Sequence, residues 1–175
     1  RLDTAMTELK KVTDETDATY ETFFSNAATQ AKQIGTTMSD YISSTADFAR
    51  LGYSLEDSEE LATVASVYFN VADGISTIDE ASQSVISTMK AFDVQVNESM
   101  GIVDLFNEVS NRFAISSAGI GEAMQRSASA LQAAGNTMEE SVALITAANS
   151  VVQDPMKVGN ALKTLSMRLR GAKTE

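Results

Sequence analysis

Apolar residues along this chain recur at intervals of three and four, and blocks of them return at a regular distance. Val64, Ala65 and Tyr68 follow Leu61 at i+3, i+4 and i+7, while Leu105, Phe106, Val109 and Phe113 follow Ile102 at i+3, i+4, i+7 and i+11. That spacing is the signature of an α-helix with one apolar stripe, and it predicts that each of these faces is buried.

The blocks can be aligned with one another. SLEDSEELATVASVYFN from Ser54, QVNESMGIVDLFNEVSN from Gln95 and TMEESVALITAANSVVQ from Thr137 place Leu55, Val96 and Met138 in register, then an acidic or Asn-Glu pair, then Ser58, Ser99 and Ser141. The offset is about 41 residues, and a fixed period of this size means stacked supersecondary units. Acidic side chains sit in the first turn of each segment, where the helix dipole favours them. A second apolar stripe follows each first helix: Ile78, Ala81, Val85, Met89 and Phe92; then Ile120, Ala123, Ser127, Leu131 and Ala134; then Val158, Leu162, Leu165 and Leu169. The repeating unit is therefore predicted to be a helical hairpin. In the third copy Pro155 shortens the linker, because proline has no N–H to donate and biases its predecessor away from the helical region.

Ahead of the repeats, DATYETFFSNAATQAKQIG and TMSDYISSTADFARLG read as two helices closed by Gly35 and Gly52, the residue type favoured just past a helix C-terminus. LDTAMTELKKVTDET carries Leu2, Met6 and Leu9 at weak helical spacing and reads as a short helix or an arm. The fold class is all-α: stacked helical hairpins preceded by two N-terminal helices. Residues 1–52 form the N-terminal helical region and residues 53–175 the hairpin repeat region, one compact module that reads as part of a longer chain.

Composition supports this and removes much chemistry. Ala, Ser and Thr are abundant, proline occurs once and tryptophan not at all, which suits helices packed through small side chains. There is no cysteine and no histidine, so disulfides, thiolate and imidazole metal sites, and Cys- or His-based nucleophilic catalysis are excluded. A net charge of −11 argues against a nucleic-acid-binding surface spread over the chain. The balance is uneven, since residues 156–175 carry Lys157, Lys163, Arg168, Arg170 and Lys173 against Glu175 alone. We read these cations as a solvated helix face, with a basic contact surface as the alternative. No apolar run approaches the ~20 residues of a membrane span and nothing resembles a signal peptide, so the chain reads as soluble.

Individual motifs dissolve on inspection. AGIGEA suggests a dinucleotide loop, but Met124 stands where its third glycine belongs and a helix, not a strand, precedes it, so Gly119 and Gly121 read as an interhelix turn. Ser87 and Lys90 match S-x-x-K, yet the partner elements of the serine enzymes that use it are missing. Asp57, Glu59, Glu60, Glu139 and Glu140 are explained by helix starts; Asp14, Glu15 and Asp17 lack calcium-loop spacing; Asn97-Glu98-Ser99 is a glycosylation sequon with no sign of secretion. The runs SASALQAAG and LITAANS allow close approach of another helix, most simply the chain's own neighbour. No catalytic, cofactor-binding or metal-binding residue is assigned, no cofactor is expected, and the chain reads as non-enzymatic.

The stretches LKKVTDETDATYETF, STADFARLGYS, VASVYFNVADGI, STMKAF, FNEVSNRFAISSAGIGEAMQRSASALQAAGNT and ALITAANSVVQDPMKVGNALKTLSMRLRG resemble the tail tape measure proteins of long-tailed phages and related particles. The resemblance spans essentially the whole chain. It implies a structural and assembly protein of the virion that lies in the tail tube, sets tail length and is expelled on DNA delivery, and that is in the host cytoplasm during assembly. The implied partners are the tail tube, tail-tip or initiator proteins, tail assembly chaperones and other copies of the chain, with no nucleic acid bound by this segment and no membrane span. The alternative is a bacterial helical-repeat adaptor that binds a protein partner.

Overall fold

The computed structural model describes residues 1–171. These residues form nine α-helices and one short 3-10 turn, with no strand among them: α1 Leu2–Val12, α2 Asp17–Gln33, α3 Met38–Arg50, α4 Leu55–Val71, α5 Ile78–Phe92, a 3-10 turn at Val96–Glu98, α6 Met100–Arg112, α7 Ser117–Ala133, α8 Met138–Val152 and α9 Pro155–Leu169. The fold is all-α, and the opening stretch is a helix in its own right.

Helix starts follow from short oxygen-bearing side chains that satisfy backbone N–H groups left without an intrahelical partner. Thr16, Thr37, Thr77, Ser116, Thr137 and Asp154 each accept from the backbone N–H three residues on, and Ser54 accepts from Asp57 N at 3.1 Å. At Thr137 the Glu140 carboxylate reaches back to the cap N–H, completing a capping box. α1, which starts after Arg1, and α6 have no such cap. Gln95 makes no side-chain cap, and the chain spends Val96–Glu98 in a 3-10 turn before the helix begins at Met100. Gly35 and Gly52 end α2 and α3 at φ of 71° and 95°, in the left-handed region where a side chain is strained.

The chain packs as two compact units, Arg1–Asn70 and Val71–Glu175. In the first, α1 and α2 both lie against α3. Ala5 and Leu9 of α1, the Tyr20, Phe23, Ala27 and Ala31 stripe of α2, and Tyr41, Ile42, Thr45 and Phe48 of α3 are buried. The Phe23 and Tyr41 rings stack at 6.2 Å between centroids, and Tyr20 Oη and Thr13 Oγ1 share a hydrogen bond of 2.7 Å that ties the α1–α2 linker down. α4 buries Leu61, Val64, Ala65 and Tyr68, the four positions that its spacing selects. Asn70 donates from Nδ2 to the Ile34 carbonyl, holding the end of α4 to the end of α2.

One ionisable pair in this unit is partly withdrawn from water, with Tyr41 buried and Glu59 half-buried. Burial, and then the nearby Glu59 charge, push the Tyr41 phenol up to about 12, while its hydroxyl bonds to the Glu59 side chain. Burial, and next the charge of Glu56, raise Glu59 above the ordinary carboxylate value of 4.5. The folded unit therefore binds the Glu59 proton more tightly than the unfolded chain does. That contribution to stability is complete below the ordinary value and is lost as pH rises through the raised one. Glu59→Gln, which still accepts from Tyr41 without a charge, is expected to raise the urea midpoint at about pH 7, and the gain is expected to vanish by about pH 4. A gain of equal size at both values would show that charge burial is not its source.

The second unit is organised around α7. This helix packs most extensively on α9 and α5, and also on α8 and α6, burying Ile120, Ala123, Met124, Ser127, Ala128 and Leu131. Gly119 and Gly121 lie inside α7, both buried, and not in the turn expected from the sequence. A side chain at 119 would come within 2.9 Å of Pro155 Cγ, and one at 159 within 2.9 Å of the Ala123 carbonyl. Small residues are thus what let α7 and α9 approach closely. Asp73 fastens the start of α7, accepting from Ser117 N at 2.8 Å. Gln125 Nε2 donates to Ser84 Oγ of α5 at 3.1 Å.

The packing within this unit departs from a simple pile of hairpins. The second helices of successive units, α5, α7 and α9, are the ones most closely packed in sequence, and their caps at Thr77, Ser116 and Asp154 are spaced more tightly than the first-helix alignment. The chain leaves α8 at Gln153, in the left-handed region with φ of 53°, and Asp154 then caps a helix with proline in its first turn.

Candidate interaction surface

The predicted stripe of α6 is only half buried. Ile102, Val103 and Phe106 are covered, so the buried arc is rotated toward Val103, and Leu105 and Val109 fall on its flank at partial exposure. Phe113 lies just past the helix on extended backbone and is 58% exposed. α8 behaves alike. After Glu139 and Glu140 it has no charged residue, yet only Ser141, Val142, Ile145 and Asn149 are buried, with Leu144 and Val151 exposed. A helix apolar around most of its circumference is ordinarily enclosed on more than one side.

The uncovered flank of α6 faces a different side of α8 from Leu144 and Val151. Leu105, Val109 and Phe113 form one wall, and Ala143, Thr146 and Ala147 the other, of an apolar groove with a volume of about 390 Å³. It is open because α6 and α8 each pack on α7 and touch one another little. Asn149 ties the far end, donating from Nδ2 to the Ala114 carbonyl at 3.3 Å. The two helices therefore run side by side in the same direction, and Leu105 lies at the end where Glu139 joins the lining. Asp104, Glu108, Glu139 and Glu140 are exposed on these helices; Arg112 pairs with Glu108 at 3.0 Å.

Residues 26–175 match the family model of the phage-related minor tail proteins. The chain belongs to that family. The match covers most of the first unit and all of the second, so the groove lies inside the region that defines the family. No solved structure gives a match to the chain. Membership makes this minor tail protein a structural component of a phage tail and of the virion, in contact with other tail components. The resemblance to phage tail proteins holds at that level.

A second apolar surface of this minor tail protein lies on α9. Of the stripe predicted to be buried, Val158 alone is covered; Leu162 is half-buried, and Leu165 and Leu169 are 54% and 78% exposed. α9 meets α7 along Val158, Gly159 and Ser166, so the small residues, not the leucines, decide which face turns inward. Lys163, Arg168 and Arg170 flank the leucines, exposed and in no ion pair among the described residues. Lys157 pairs with Asp154 at 3.1 Å, and the Asp154 carboxyl is held below its ordinary value, chiefly by the Lys157 backbone N–H that it caps. Lys173 and Glu175 of the basic segment lie outside the described residues.

The remaining motifs have ordinary surroundings. Ser87 Oγ donates to the Gln83 carbonyl one turn back in α5 at 2.7 Å, a bond common to helical serines. Glu140 is engaged in the capping box of α8. Among the described residues no group of three or more Asp or Glu side chains could hold a metal ion, and no helix is long and apolar enough to cross a membrane. The open flanks of α6 and α9 were beyond reach of periodicity alone, which identifies apolar positions but not how many neighbours cover them.

Proposed function

We propose that this minor tail protein is a segment of a tape measure protein, one that takes part in tail tube assembly and tail-length determination and accompanies DNA delivery. In this reading it lies in the tail tube lumen of the virion, after assembly in the host cytoplasm. Its partners are the tube, the tail-tip or initiator proteins, the assembly chaperones and its own copies. Its role is structural, with no catalytic residue. Family membership over residues 26–175 carries the reading.

The packing supports a specific place within that function. The longest helices have 17 residues, about 25 Å each at a rise of 1.5 Å per residue, and they fold back on one another within compact units. A folded-back chain supplies little length. The segment accordingly acts as an assembly module and not as the ruler itself.

An in-frame deletion of residues 71–171 in the phage genome tests this, with tails imaged by electron microscopy. As one straight helix this unit would span about 150 Å. Loss of tails, or shortening far below that figure, is the expected result. Infectious tails shortened by the full amount would mean that the segment is extended and serves as a ruler, and infectious tails of unchanged length would remove both roles.

A further inference from the structure

The groove and the α9 stripe match one another. We infer that α9 of one copy docks into the α6/α8 groove of a second copy. Both surfaces are about two helical turns long: Leu162, Leu165 and Leu169 on α9, and Leu105, Val109 and Phe113 along α6, each spanning roughly 10–12 Å at 1.5 Å per residue. Within one chain they cannot meet, because α9 is held to α7 through Val158, Gly159 and Ser166.

Charge selects both the partner and its direction. α6 and α8 carry Asp104, Glu108, Glu139 and Glu140 against Arg112 alone, whereas α9 and its C-cap carry Lys163, Arg168 and Arg170 beyond the Lys157 that pairs with the N-cap Asp154. In a chain of net charge −11, α9 is the one described helix that pairs an exposed leucine stripe with uncompensated cations. Glu139 lines the groove at the end nearest the N-termini of α6 and α8, and Asp104 and Glu140 lie in the first two turns of those helices, whereas Glu108 stands further along α6, paired with Arg112. Arg168 and Arg170 reach that end only if α9 enters antiparallel to both helices, which also sets its negative C-terminal dipole against their positive N-termini.

Three side chains a side bury well under the roughly 1,600 Å² of a standard interface, so the contact is weak and acts where copies are held close together. As a contact made during tail assembly it rests on the reading above, but as a physical contact it is tested on the isolated chain, so the two can fail separately.

The chain has no cysteine, which permits a clean cross-linking test. Ala143→Cys and Leu165→Cys are made in separate copies, both at exposed positions, mixed, and oxidised with diamide. The expected result is a mixed disulfide between the two variants that forms at least about tenfold faster than either like-with-like dimer or a pair of Ala143→Cys with Gln30→Cys on α2. Adding Arg168→Glu and Arg170→Glu to the Leu165→Cys copy should slow the cross-link by about tenfold, the size expected for two solvent-exposed charge pairs reversed at an interface. Asp104→Arg with Glu139→Arg in the other copy should restore it. Circular dichroism of each variant checks that its helices are intact. Equal rates for all pairs of intact variants, or a mixed disulfide indifferent to the charge reversals, would overturn the inference.

Discussion

Replacing Leu131 with alanine is expected to lower the unfolding free energy by about 2–5 kcal/mol, the range for a fully enclosed leucine whose removal loses transfer energy and leaves a cavity. Leu131 is 1% exposed and sits on α7, which touches every other α-helix of its unit. Neighbours held on several sides cannot collapse into the space, and this places the cost toward the upper part of the range. Leu105→Ala, the same chemistry on the open wall of the groove, should cost about 1 kcal/mol or less, since the side chain keeps part of its exposure in the folded state. Urea unfolding of both variants decides the matter. Equal losses would mean that the groove is closed in solution.

The second large effect is expected at Gly159, where valine should cost about 3 kcal/mol or more. An added Cβ would lie 2.9 Å from the Ala123 carbonyl oxygen and 3.0 Å from Ala123 Cα. Both are backbone atoms in the middle of α7, so no rotamer change relieves the clash. α9 must move away, and the burial of Val158 and Ser166 goes with it. Helix propensity points the other way, by up to about 1 kcal/mol for replacing a helical glycine with alanine, but contact at this distance outweighs it. Gly101 provides the control. It is also helical, in α6, but a side chain there meets nothing within 4 Å, so Gly101→Ala is expected to stabilise the chain by about 0.5–1 kcal/mol. Thermal unfolding followed by circular dichroism should show opposite signs at the two glycines; the same sign at both would mean that α7 and α9 are not in close contact.

The candidate surface could be read from the sequence only in part. Glu139, Arg168 and Leu165 were visible as charges and apolar positions, and the basic character of the α9 segment stood out against an acidic chain. Their arrangement did not follow. Spacing predicts one buried face for the α6 stripe, yet Val103, outside the stripe, is enclosed while Leu105 and Val109 are not. A spacing rule locates an apolar arc to within one residue on either side, and one residue is about 100° on a helix.

What the sequence determined by itself is what depends on neighbours within a few residues. Helix period, the caps at Ser54 and Thr137, the stops at Gly35 and Gly52 and the break before Pro155 all act over a turn or less, and the structure places each where local chemistry requires it. Gln95, aligned with Ser54 and Thr137 but without a short oxygen-bearing side chain, caps nothing, and a 3-10 turn stands where a helix was expected. Tertiary structure decided which side of each helix faces inward. On α9 three leucines competed with Gly159 and Ser166, and the small pair prevailed beside Val158, because close approach to α7 requires the absence of side-chain atoms at the crossing point. The same close approach buries Gly119 against Pro155, inside a helix that begins at the Ser116 cap and not in a turn, and it leaves Leu165 and Leu169 in solvent. Such choices depend on the surface of the opposing helix, which lies tens of residues away in the chain and is brought near only by folding.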